Sequence, residues 1–185
     1  MVIQINAKWV VGVVAIATLS LPSPSAQAVQ FADGTVHFAA VPRLVETRTT
    51  NSDTGSFGAT YYFTLTVPAD AGEPLARVAI AQKEGFSSVR FLPQRTRAFE
   101  DIRRRQPIAP SDVQVDKKQA IAVSFNPPIA PGQTVVIGLR PRHNPRTDGV
   151  YLFGVTAFPA GEKSQGQFLG FGRLHFYQRV PFHHW

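Results

Sequence analysis

The chain has 185 residues, no cysteine, 14 phenylalanines and a formal net charge of +7. Without cysteine, neither disulfides nor thiolate metal sites can hold the fold, and a lipid-modified cysteine is excluded; stability has to come from packing, much of it around phenylalanine. The charge is concentrated, with 11 basic and 4 acidic residues between Arg90 and Arg146, and a basic half on a near-neutral body implies an anionic contact.

Residues 1–28 follow the three-part export pattern: Lys8 as the only charge, an apolar run from Trp9 to Leu21, then Pro22-Ser23-Pro24-Ser25-Ala26-Gln27-Ala28 with the small residues that signal peptidase favours. As a helix that run would rise only about 20 Å, short of a hydrocarbon core of about 30 Å. A cleaved signal peptide is therefore expected, and it leaves about 157 residues, enough for one domain over 29–178 with a tail at 179–185. No later apolar stretch approaches spanning length, so no transmembrane anchor is expected after cleavage. The expected location is the periplasm or beyond. There the available anions are polysaccharide, lipid headgroups and phosphate-bearing polymers, whereas nucleic acid is a poor partner for an exported protein.

Period-two runs closed by turn residues dominate the rest. Tyr61, Phe63, Leu65 and Val67 alternate with threonines and Tyr62, between the turn compositions Asn51-Ser52-Asp53-Thr54-Gly55 and Pro68-Ala69-Asp70-Ala71-Gly72. The same logic predicts strands near residues 35–41, 75–81, 120–125, 134–139, 150–158 and 169–177. Pro131-Gly132 suits a tight turn, which makes the strands on either side of it antiparallel neighbours. A short helix or irregular loop is expected over 93–105, where Phe99 and Ile102 lie three apart. In the strand expected over Val150 to Phe158 both faces are mostly apolar, as in a strand packed on two sides. About seven antiparallel strands at this spacing point to an all-β, immunoglobulin-like β-sandwich.

Chemistry-bearing motifs are sparse. There is no Gly-x-Ser-x-Gly or Ser-x-x-Lys, and the adjacent Glu100 and Asp101 would point apart on a strand, so neither an enzyme nor a cofactor is expected. Asn51 to Gly55 has the alternating oxygens of a calcium loop, but Tyr62 stands where such a loop needs its glutamate. Gly166, Gly170 and Gly172 are interleaved with phenylalanine, which suits a strand better than a phosphate loop. His37, His143, His175, His183 and His184 suggest the alternative of a copper- or zinc-handling protein, although none of them forms a His-x-x-x-His pair.

Two basic clusters remain: Arg95, Arg97, Arg103, Arg104 and Arg105, and the loop arginines Arg140, Arg142 and Arg146. A guanidinium pairs two-pronged with carboxylate or phosphate, and prolines at 141 and 145 stiffen the second loop. The competing account is that these arginines only keep the surface hydrated.

From Asn126-Pro127-Pro128 through Pro131-Gly132 and Asn144-Pro145-Arg146, and above all in Gly149-Val150-Tyr151-Leu152-Phe153-Gly154-Val155-Thr156-Ala157-Phe158-Pro159-Ala160-Gly161 and Gly170-Phe171-Gly172-Arg173-Leu174-His175-Phe176-Tyr177, the chain resembles a domain family of unknown function found mainly in exported cyanobacterial proteins. The likeness covers roughly residues 30–178. It implies an exported envelope domain and assigns no functional residues. More distantly, the proline-glycine turn and its strand are similar to periplasmic copper-carrier sandwiches, whose methionine-rich and N-terminal histidine ligands are missing here. The expected function is a non-catalytic binding or scaffolding module for an anionic envelope polysaccharide or lipid headgroup. N-terminal sequencing of the exported protein is expected to begin at Val29; a sequence beginning at Met1 would remove the cleavage.

Overall fold

The computed structural model describes residues 29–30, 34–100 and 106–178. The expected signal peptide, Arg103 to Arg105 and the tail histidines lie outside the described residues.

The strands are β1 (Val29–Gln30), β2 (Val36–His37), β3 (Arg43–Thr49), β4 (Tyr61–Thr66), β5 (Leu75–Glu84), β6 (Arg97–Glu100), β7 (Gln106–Ile108), β8 (Pro110–Val115), β9 (Ile121–Ile129), β10 (Thr134–Leu139), β11 (Gly149–Pro159) and β12 (Gln167–Phe176). A single 3₁₀ turn, η1 (Pro93–Arg95), precedes β6. Two antiparallel five-stranded sheets result, in the orders β3-β4-β10-β6-β7 and β12-β11-β5-β9-β8, with β1-β2 as a small separate ribbon.

Alternation explains why the sheets face each other. Tyr61, Phe63 and Leu65 of β4 and Val135, Ile137 and Leu139 of β10 point inward from one sheet. Val78 and Ile80 of β5, Ile121, Val123 and Phe125 of β9, and Tyr151, Phe153, Val155 and Ala157 of β11 meet them from the other. The fold is therefore an all-β sandwich, immunoglobulin-like in its plan of two packed antiparallel sheets.

Several expectations need correction. Among the described residues the sandwich has ten strands rather than about seven, because β3 and β8 carry too many polar residues to announce themselves by alternation and β6 and β7 are too short to show a period. Three of these four lie on sheet edges, where charge is useful. β3 carries Arg43, Glu46 and Arg48 and breaks register between Leu44 and Glu46, both of which discourage pairing with another chain. Of the segment 93–105, expected as a short helix or irregular loop, the described part holds the short 3₁₀ turn η1 but then continues as β6, since β10 needs a second neighbour and Ala98 turns into the core.

The turn at Pro131-Gly132 forms as expected, with the Gln133 N–H donating to the Ala130 carbonyl at 3.2 Å and φ of 84° at Gly132. Its flanking strands, however, are not neighbours. The Gly132 N–H donates instead to Val67 O at 2.9 Å, which carries the chain across to β4; β10 then pairs with β4 and β6, and β9 with β5 and β8. Nor is β11 packed on both faces: its Tyr151 side fills the core, while Val150, Leu152, Thr156 and Phe158 are only half-buried on the outside.

Phe153 sits at the middle of the core, with ring centroids 5.9 Å from Tyr61, 6.0 Å from Phe63 and 6.0 Å from Phe91. Phe153→Ala should cost about 3–5 kcal/mol in urea unfolding. An unchanged midpoint would contradict this placement of the core.

Candidate functional site

Three connections meet at one end of the sandwich: residues 50–60 between β3 and β4, residues 85–92 after β5, and residues 140–148 between β10 and β11. None has a regular strand of its own, so their backbone polar groups must be satisfied locally. One fully buried side chain does part of this. Asn144 Nδ2 donates to the carbonyls of Asn51 at 3.0 Å and Asp53 at 2.9 Å, and its Oδ1 accepts from the Tyr61 hydroxyl at 2.9 Å. The Asn144 N–H donates to Ser56 O, and the Gly55 N–H to Pro145 O, each at 2.8 Å. Residues 51–55 thus form the expected turn, with the Asp53 N–H donating to Asn51 Oδ1 at 2.7 Å.

The connection at residues 85–92 joins by backbone and hydroxyl contacts. The Arg142 N–H donates to Arg90 O and the Leu92 N–H to Arg140 O, both at 2.8 Å. The Tyr151 hydroxyl donates to Thr147 O at 2.9 Å and lies 3.0 Å from Ser87 Oγ. Gln82 spans the start of this connection, donating to Ser87 O and accepting from the Val89 N–H, each at 2.8 Å.

On this frame lie two clefts. The larger, of about 380 Å³, is lined by Phe57, Ser88, Arg90, Arg142, His143 and Arg146. His143 Nδ1 donates to Asn144 O at 2.7 Å, which leaves Nε2 for another partner. The smaller, of about 140 Å³, is lined by Thr60, Tyr62, Arg95, Arg97, Phe99, Gly138 and Arg140.

The six described arginines of these clefts are thus redistributed relative to their order in the chain. Arg140 joins Arg95 and Arg97, whereas Arg142 and Arg146 join Arg90, because residues 90–92 run beside 140–142. Sequence reasoning did not single out Arg90, Phe57, Ser88 or His143 as parts of one site. Phe57, an aromatic set between glycines in a turn, was the available signal. None of the six arginines forms an ion pair with a described acid. Unpaired guanidinium groups gathered by braced loops can pair two-pronged with carboxylate or phosphate without first breaking an internal ion pair.

Among the described residues no three His, Asp or Glu side chains come together as a metal site, and no described helix is long and apolar enough to cross a membrane.

The fold and its clefts define a β-sandwich domain with a cationic loop end. The chain belongs to the family described as "Protein of unknown function (DUF2808)", whose model matches residues 35–176. No curated protein matches the chain in sequence. Among solved structures, the N-terminal domain of the Streptococcus gordonii adhesin Sgo0707 is similar, with a TM-score of 0.50 and 12% identity. That match covers 77% of this chain and 34% of the other, so this chain spans about a third of that structure's length. An uncharacterised Nocardia farcinica protein described as having an immunoglobulin-like fold gives a TM-score of 0.41 and 12% identity over 71% of this chain and 96% of its own. A collagen-binding domain from a Staphylococcus aureus adhesin gives 0.40 and 8% over 72% and 98%.

Asn144→Ala should cost at least about 3 kcal/mol, because it strands the Tyr61 hydroxyl and two carbonyls; urea unfolding measures it, and an unchanged midpoint would deny Asn144 its bracing role. Burial, and behind it the neighbouring Tyr151, pushes the Tyr61 phenol well above its ordinary value of 10.0. The folded state holds that proton more tightly than the unfolded chain does, so this contribution to stability is complete below pH 10 and falls away as pH climbs above it. Urea midpoints measured above pH 10 should decline less steeply in Tyr61→Phe than in the unsubstituted protein; equal slopes would contradict this.

Proposed function

We propose that this domain is a non-catalytic binding module of the cell envelope that holds anionic groups of a polysaccharide or of lipid headgroups through its arginine-lined loop end. The observation that carries it is the gathering of Arg90, Arg142 and Arg146 in one cleft and Arg95, Arg97 and Arg140 in the next, with no described acid paired to any of them. Like charges left together repel one another, and the strain is relieved when an anion arrives. The exported, cyanobacterial setting belongs to the same proposal: the leader-like N-terminus and the likeness read from residues 126–177 support it. The absence of cysteine suits a domain that folds by packing alone.

Charge reversal tests it. On a carboxylated polysaccharide matrix at low salt, Arg142→Glu and Arg146→Glu should each weaken retention about fivefold or more, and salt should weaken it steeply. Arg43→Glu, an equal change of charge at the far end of β3, should weaken it far less. If all three variants elute together, net charge rather than the cleft governs retention and the proposal is overturned.

A further inference from the structure

The loop end carries the two most exposed large hydrophobic side chains among the described residues: Phe57, 78% exposed and part of the lining of the larger cleft, and Phe86, 80% exposed. They sit on the first two of the three connections that build the loop end, at 50–60 and 85–92. Both rings are held in place. Phe57 lies edge-on to His143 with ring centroids 6.1 Å apart. Phe86 rests against Gly149 so closely that a Cβ there would come within 3.1 Å of the ring. Their outer surfaces nevertheless face water, and apolar surface kept there by two braced loops marks a place meant to be covered.

The chemistry of the surroundings narrows what covers them. Arg90, Arg142 and Arg146 line the cleft beside Phe57, so the partner must offer negative charge and apolar material together. Phe86 is not part of the cleft lining, and an acidic sugar seated in the cleft would leave it wet. A bilayer surface is broad enough to take both rings while presenting phosphates to the arginines. The exposed acids at this end, Glu84 and Asp148, lie outside the cleft lining and form no ion pair with its arginines.

We propose that the loop end docks on an anionic lipid bilayer, with Phe57 and Phe86 entering the boundary between headgroups and acyl chains and Arg90, Arg142 and Arg146 holding lipid phosphates. This rests on the assignment of the arginine cleft as an anion site. Each phenylalanine should contribute about tenfold or more to the partition, and each arginine about fivefold.

Co-sedimentation of the exported protein with vesicles tests it. Binding to mixed phosphatidylglycerol and phosphatidylcholine vesicles is expected, at least about tenfold weaker on phosphatidylcholine alone. The variant Phe86→Ser, at an exposed site outside the cleft lining that leaves the core and its circular dichroism unchanged, should weaken vesicle binding about tenfold or more yet keep its retention on the polysaccharide matrix. If Phe86→Ser pellets like the unsubstituted protein, the docking inference fails while the cleft stands. If it loses the polysaccharide matrix as well, Phe86 belongs to a sugar site and the bilayer gives way to a glycan. If Arg142→Glu keeps both vesicle and matrix binding, the anion site itself falls, and docking with it.

Discussion

The buried side chain of Asn144 joins the core to the surface on which any function must act. Its amide donates to the backbone of the β3–β4 connection, and its oxygen accepts from Tyr61, whose ring packs against Phe91, Phe153 and Phe176 at 5.6 to 5.9 Å. A buried amide costs free energy unless its hydrogen-bonding capacity is met, so Asn144 is tolerated only while both loops hold their places. The residues beside it, Arg142, His143 and Arg146, inherit positions set from beneath. Loops are usually the softest part of a sandwich; here the amide transmits the rigidity of an aromatic core to two of them.

That core has to be rigid on its own account, because no crosslink supplements it. Phe63 and Phe153 meet across the gap between the sheets with ring centroids 6.0 Å apart, and Tyr151 packs edge-on to Phe176 at 5.4 Å. Aromatic pairs in edge-to-face geometry add to the gain from area buried, and they fix orientation as well as distance. The third loop depends on the same layer: Tyr151 reaches from the core to Ser87 and Thr147, so a second phenol does for residues 85–92 what Tyr61 and Asn144 do for residues 50–60.

Charge and apolar surface are then displayed together at one end. Acids are present elsewhere, as in the exposed pair of Arg48 with Glu46 at 3.7 Å on the edge strand β3, but they are absent from the lining of both clefts. Such a distribution raises the local potential at this end of a molecule whose formal net charge is already +7, which favours an anionic contact there.

The sequence by itself determined the class of fold, since alternation in β4, β5, β9, β10 and β11 is a local property that survives any rearrangement of the strands. It also disclosed that arginine is the chemistry on offer, and it marked the turn at Pro131-Gly132. It could not say that β9 and β10 belong to different sheets, because the bond from Gly132 to Val67 joins residues far apart in the chain. Edge strands such as β3 and β8 escaped notice because polar residues are tolerated there, and β6 because its four residues are too few to show a period. Only the tertiary structure decided which arginines share a cleft. Proximity between Arg90 and Arg142, or between Arg97 and Arg140, arises from two backbone segments lying side by side, a relation that sequence spacing does not record.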